Sequence, residues 1–139
     1  MSEGKEKKVT SKRKVVFDRE PFESMLGMAR NLHPREFIAL LRGEIRHREI
    51  HITDLLLAPL SVYGAGFSNF NPYALPFDAS VVGLAHSHPS GRAEMSTWDY
   101  NHFYGSIMAI AACPYRGPGD VAVFDGRGNR LRVTVTSRS

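Results

Sequence analysis

Apolar and polar positions along the chain follow two periods, one of a strand and one of a helix. Lys14-Val15-Val16-Phe17 reads as a short first strand. Asp18 or Glu20, with Pro21 in the first turn, then opens a helix in which Phe22, Met25, Leu26, Met28, Ala29 and Leu32 recur at helical spacing, so that one stripe can face a core. The helix should stop before Pro34, since a residue preceding proline is pushed out of the helical region. Glu36 through Arg42 holds the apolar run Phe37-Ile38-Ala39-Leu40-Leu41, stopped by Gly43; with Glu49 through Leu57 it predicts a strand pair turning near residues 44 to 48. Residues 58 to 79 contain three prolines, two glycines and two asparagines and predict an irregular loop, with at most short strands around Val62 and Phe67. Ser80 to Ser87 follows as a strand, Pro89 to Met95 as a loop, Ser96 to about Tyr104 as a helix and Ser106 to Ala112 as a strand. Asp120 to Phe124 and Arg130 to Thr136 form a hairpin around Asp125-Gly126-Arg127-Gly128-Asn129. Mixed strands with few helices predict a layered α/β or α+β domain, one sheet with helices packed on it.

Composition narrows this picture. At 139 residues, 42% of them hydrophobic, the chain is expected to be a single domain able to bury one sizeable core. Residues 1 to 14 hold six of the 18 basic and two of the 14 acidic residues, so that short segment accounts for the whole net charge of +4 and leaves 12 of each in positions 15 to 139. A neutral body does not present a basic face for nucleic acid. The segment itself, lysine-rich and without hydrophobic periodicity up to Val15, reads as a disordered basic tail, 1–14, ahead of a domain at 15–139. The only cysteine, Cys113, lies in an apolar run, which excludes an intrachain disulfide and predicts a small buried hydrophobe. No apolar run approaches the roughly 18 residues of a membrane span and the amino terminus lacks an apolar signal core, which together predict a cytoplasmic protein.

The chemistry concentrates between His86 and Asp99. Residues two apart on a strand point to the same side, so His86 and His88 should project together, in line with Val82 and Leu84. Pro89 ends the strand, and the loop after it lets the chain turn back and offer Asp99 from the first turn of the next helix. Three protein ligands with no fourth nearby is the arrangement of a catalytic zinc, which keeps one position open. Taken singly these signals are weak. A His-x-His pair is more often solvent-facing or hydrogen-bonded than metal-bound, and Ser96 with Asp99 also fits a capping box. The two roles are compatible, because a carboxylate has two oxygens and a hydroxyl more than one partner site.

Position for position, His86-Ser87-His88-Pro89, six residues, Ser96, two residues and Asp99 resembles the motif of the JAMM (MPN-plus) metalloproteases. The likeness extends upstream, where Asn31-Leu32-His33-Pro34-Arg35-Glu36-Phe37-Ile38-Ala39-Leu40-Leu41-Arg42-Gly43 is similar to the segment that carries the family's catalytic glutamate, and it covers about residues 15 to 136. Met95 stands where many relatives have proline. The resemblance implies a cytidine-deaminase-like α/β fold, one zinc ion per chain held by His86, His88 and Asp99, and cleavage of isopeptide or peptide bonds at the carboxyl end of ubiquitin-like proteins. It assigns Glu36 as the base that activates a water and Ser96 as hydrogen-bond donor to the developing oxyanion, the two catalytic residues. His33, His47, His51 and His102 are expected at the surface or in packing, although His102, three residues beyond Asp99, is within reach of the metal; Trp98 is expected to pack beneath the loop. Ser87, facing the other way, is expected to hydrogen-bond backbone.

Other readings compete. A metal-free interaction scaffold of the same fold would lack the ligands, and all are present. A nucleobase deaminase needs Pro-Cys-x-x-Cys, which one cysteine cannot supply. A binding module would use the basic tail on nucleic acid or anionic lipid, and within the protease class a sulfur-carrier protein adduct is an alternative substrate.

Overall fold

Seven strands and two helices are formed by the described residues, 8–57 and 78–137 of a computed structural model. In chain order these are β1 (Val9–Phe17), α1 (Arg19–Leu32), β2 (Ile38–Arg46), β3 (Glu49–Leu57), β4 (Val81–His88), α2 (Thr97–Asn101), β5 (Ile107–Ala112), β6 (Val121–Asp125) and β7 (Arg130–Val135), with a 3-10 turn at Pro118–Asp120 before β6. The loop expected at 58–79 lies, through residue 77, outside the described residues, as do Val62 and Phe67. The domain is mixed α/β, dominated by its sheet. That sheet does not stay open: the strands run β1-β3-β2-β4-β5-β6-β7 and close, because β1 pairs in parallel with both β3 and β7. β4 and β5 are parallel as well, and the remaining neighbours are antiparallel. Among the described residues no helix is long and apolar enough to cross a membrane.

Two apolar clusters lie on opposite faces. The first joins Val15 and Phe17 of β1, Ala39 and Leu41 of β2, Ile50 and Ile52 of β3 and alternate residues of β5 to the stripe of α1 formed by Phe22, Met25, Leu26 and Ala29. Each large side chain so buried contributes about 1.5–3 kcal/mol of transfer free energy, which is why this stripe was legible as a helix. The second cluster holds Ile38, Leu84, Met108, Ile110, Ala122 and Phe124, covered by Ala93, Met95, Trp98, Phe103 and Tyr104. Because β5 is buried on both sides, all six of its residues are buried, as expected of a strand inside a parallel pair.

Three expectations are corrected. The first strand begins at Val9 and not Lys14, so residues 9–14, expected within the tail at 1–14, belong to the sheet; the ladder to β7 runs through main chain and needs no hydrophobic side-chain pattern. β2 continues past Gly43 to Arg46, tolerating the glycine at a bulge where Arg42 faces Asp54 and Gly43 faces Ile52. Val82 does not share a face with Leu84: Leu41 opposes Gly83 and Arg42 opposes Val81, so Val82 is the extra residue of a second bulge and packs in the first cluster.

The β4–β5 ladder requires close approach at Gly83. A Cβ there would overlap the Ile107 carbonyl oxygen, so Gly83→Ala must push the two strands apart, whereas a Cβ on Gly117 meets nothing within 4 Å. Equilibrium urea unfolding is expected to show a loss of about 1–3 kcal/mol for Gly83→Ala, as for other overpacked cores, and a change within about 0.5 kcal/mol for Gly117→Ala.

Candidate metal centre

His86 and His88 stand at the carboxyl end of β4, the strand between β2 and β5. The antiparallel partner of His86 is Ile38, and its parallel partner is Ile110; His88 lies beside Ala112. Strand alternation turns both rings to the face of Leu84, Met108 and Ile110, as the two-residue spacing predicts. A parallel pair cannot be joined by a tight turn, so the chain between β4 and β5 must cross over one face of the sheet. It crosses over this one: Ala93, Met95, Trp98, Phe103 and Tyr104 all come from that connection. The crossing brings α2, and with it Asp99, down onto the imidazoles.

The three donors converge. His86 Nε2 is 2.9 Å from Asp99 Oδ1 and His88 Nε2 is 3.3 Å from Asp99 Oδ2, with side-chain exposures of 2%, 13% and 1% for His86, His88 and Asp99. Among the described residues these three form a group whose ligand atoms all lie within 4.8 Å of one another. Donors at the corners of a tetrahedron around zinc stand roughly 3.3 Å apart for bond lengths near 2.0–2.1 Å, so nitrogen, nitrogen and carboxylate oxygen are already near the spacing that zinc requires. His86 Nε2 also lies 3.1 Å from Met108 Sδ.

Supporting bonds hold this set in place. His88 Nδ1 lies 2.8 Å from the Arg92 carbonyl, and an Nδ1–H donated there leaves the Nε2 lone pair for a metal. Gly91, at φ +86°, supplies the left-handed turn after Pro89 and Ser90 that brings this carbonyl back, and its own N–H donates to His88 O at 3.1 Å. Asp99 is held from the other side. The Ser96 N–H donates to Asp99 Oδ2 at 2.7 Å while the Asp99 N–H donates to Ser96 Oγ at 3.2 Å, a capping box at the start of α2. Capping and convergence on the imidazoles therefore coexist on one carboxylate.

Electrostatics follow from burial and from these bonds. Burial alone would raise the Asp99 pKa, but hydrogen bonds from both imidazoles and from the Ser96 N–H outweigh it and hold the carboxyl far below the usual range. For His88 burial acts to lower the pKa; the Asp99 carboxylate, the Arg92 carbonyl and Glu36 act the other way and leave it raised. In the metal-free protein the charge on Asp99 thus stabilises the fold above its unfolded pKa of about 3.9, and this is lost as pH falls through the lower folded value. The charge on His88 stabilises below about pH 6.5, and this is lost as pH rises through the raised folded value.

Glu36 and Ser96 line the same open cleft of about 310 Å³ as His88, together with Arg92, Glu94 and Met95. Glu36 lies two residues ahead of β2, exposed, and not on the strand where it was expected. Ser87 behaves as anticipated from its opposite orientation: its hydroxyl accepts the Phe37 N–H at 2.8 Å, fixing the residue next to Glu36 against β4. His102 does not join the ligands. Its ring stacks on Trp98 with centroids 3.7 Å apart and planes 7° apart, and its Nδ1 lies 2.8 Å from the Trp98 carbonyl. The His102 N–H donates to the Trp98 and Asp99 carbonyls as the C-cap of α2, which ends at Asn101 and not near Tyr104. Trp98 packs into the second cluster, edge-on to His86. His33 and His51 bond Tyr115 and Asp18, and His47 sits at the β2–β3 turn with φ +51°.

A closed mixed sheet carrying a His-x-His pair at the base of a cleft and a buried aspartate from the following crossover defines a metal site of the JAMM metalloprotease type. Residues 19–125 match the family of prokaryotic homologs of the JAB domain, and the chain belongs to that family. A protein of Haloferax volcanii named a probable metalloprotease is 35% identical over 103 residues, which span 69% of this chain and 63% of that protein. A UPF0758 protein of Aeromonas hydrophila is 33% identical over 93 residues, 67% of this chain and 42% of its own length. The chain thus matches less than two thirds of the length of either relative. Among solved structures, a JAB1/MPN domain protein from Archaeoglobus fulgidus is similar with a TM-score of 0.64 at 25% identity, covering 87% of this chain and 98% of that one. A structure described as a JAMM metalloprotease-like zinc site in the proteasome and signalosome shares the fold with a TM-score of 0.66 at 24% identity, over 89% and 99% of the two chains.

His88→Ala is expected to abolish most zinc binding by purified protein, read by metal analysis, while far-ultraviolet circular dichroism stays that of the wild type. In the wild type a metal must displace the proton from His88. Zinc affinity from chelator competition should therefore fall by roughly tenfold per pH unit once the pH drops below the raised His88 pKa.

Proposed function

We propose that the chain is a zinc-dependent isopeptidase or peptidase, with one zinc per chain, that hydrolyses the bond following the carboxyl terminus of a ubiquitin-like modifier protein. The observation that carries this reading is the cleft itself, in which Glu36 and Ser96 share one opening with His88 while His86 and Asp99 lie buried behind it. Zinc bound to these three residues supplies a Lewis acid and lowers the pKa of a water to about 7. Glu36 takes the proton of the attacking water on its carboxylate and returns it to the leaving amine. Ser96 Oγ already accepts the Asp99 N–H, which leaves its own proton for the oxygen on which negative charge develops.

Access supports this choice of substrate class. With His86 and Asp99 almost wholly buried and His88 reached through the cleft, a thin, extended chain such as a flexible carboxyl-terminal tail fits this approach to the site. Such a tail would lie as an added strand along the segment Gly91 to Met95, which borders the cleft. The other bank proposed for this groove, Pro59 to Asp78, lies outside the described residues through residue 77.

Glu36→Gln keeps the size and hydrogen bonding of the side chain but cannot accept the proton. Zinc content and affinity for a ubiquitin-like partner are expected to be retained, and cleavage of a ubiquitin-like fusion to fall at least about 100-fold. Near-normal cleavage would place the base elsewhere, and loss of zinc would make Glu36 a ligand. Running the same pair of proteins on a sulfur-carrier adduct decides between the two substrate types.

A further inference from the structure

Glu36 stands on a segment with no regular secondary structure and its side chain is exposed, so its position depends on how the flanking backbone is tied down. On the carboxyl side the tie is Phe37, whose N–H donates to Ser87 Oγ at 2.8 Å and whose carbonyl accepts the Ser87 N–H at 3.0 Å. On the amino side, three residues away, His33 Nδ1 hydrogen-bonds the Tyr115 hydroxyl at 2.8 Å, and the two rings meet edge to face with centroids 5.6 Å apart.

Tyr115 is an unusual anchor. It is 2% exposed, yet its backbone is left-handed, at φ +60°, a conformation that costs a non-glycine residue about 1–3 kcal/mol unless its surroundings enforce it. The enforcing contacts are visible: Arg30 Nη1 of α1 donates to the Tyr115 carbonyl at 2.6 Å, and the Tyr115 N–H donates to Ala112 O at 2.9 Å. Two residues earlier, the Cys113 N–H donates to the carbonyl of His88 at 3.2 Å. Contacts therefore run in a ring from His88 through Cys113, Tyr115 and His33 to Glu36, and back through Phe37 and Ser87 to His88. Phenylalanine would fill the same space; only the hydroxyl closes the ring. Burial, with Cys113 and Glu36 nearby, raises the phenol pKa, so the group remains a neutral O–H able to donate to His33.

We propose that Tyr115, acting through His33, is a positioning residue that sets the place of Glu36 relative to the metal ligands. The inference rests on the reading of Glu36 as the base, and it assigns Tyr115 no contact with substrate.

The test uses zinc-loaded Tyr115→Phe and His33→Ala, the second altering an exposed residue so that folding is not at stake. Amide hydrogen exchange at Arg35 and Phe37, whose N–H groups are bonded to Leu32 O and Ser87 Oγ, is expected to accelerate at least about fivefold in both variants, with β5 unchanged, because a local tie has been cut. Each variant should lower kcat by roughly tenfold or more at constant KM, as misplacement of a catalytic group does. Combined with Glu36→Gln, neither should lower the rate further, since a residue acting through the base has nothing left to act on. Unchanged exchange at Arg35 and Phe37, or rate losses that multiply with Glu36→Gln, would overturn the role of Tyr115. Near-normal turnover of Glu36→Gln alone would instead overturn the base and the catalytic part of this inference with it, while the exchange result still decides whether Tyr115 ties the segment.

Discussion

The parallel pairing of β4 and β5 is the constraint on which the centre depends. Had these strands been antiparallel, a short turn could have joined them and both faces of the histidine strand would have been covered by distant parts of the chain or left to water. Parallel strands oblige the connection to travel back along the sheet. The connection is amphipathic: Met95, Trp98 and Phe103 seal the second cluster, and α2 among them delivers Asp99 to the two imidazoles. Hydrophobic burial thus supplies the free energy that gathers polar ligands in a place where, by themselves, they would be costly to hold.

The same logic explains the economy of the site. Asp99 is nearly inaccessible, and a lone carboxylate at such a depth would be strongly penalised. Here its oxygens meet the Ser96 N–H and two imidazole nitrogens, so the ionised form is held without any metal. Ligands organised in advance need little further ordering when an ion arrives, and binding of this kind loses less conformational entropy. Around them the bonds from His88 to Arg92 O and from Phe37 to Ser87 Oγ orient the groups at the mouth of the cleft.

What could be read from sequence was what local rules decide. The same-side projection of His86 and His88 follows from strand periodicity, the place of Ser96 and Asp99 from the chemistry of a helix start, and α1 from its apolar stripe. Glu36 was visible only through resemblance, because the contacts that place it join residues 82 and 50 positions apart, His33 to Tyr115 and Phe37 to Ser87. The bulge at Val82, the continuation of β2 beyond Gly43 and the length of β1 were hidden for the same reason: each is set by a neighbouring strand and not by the segment's own pattern. His102 shows the limit from the other side, since its spacing from Asp99 allowed approach to the metal while stacking on Trp98 took it elsewhere.

Closure of the sheet through β1 has a kinetic side. Val15 pairs with Ile50 on one flank and with Val133 on the other, so β1 cannot complete its second ladder until β7, more than 100 residues further along the chain, has been made. Pairings so distant in sequence are slow to form, because a long loop must be closed before the contact is gained. During that interval the strand that begins at Val9 has an open flank, and Arg13 and Lys14 are residues of the kind that discourage a second chain from pairing there.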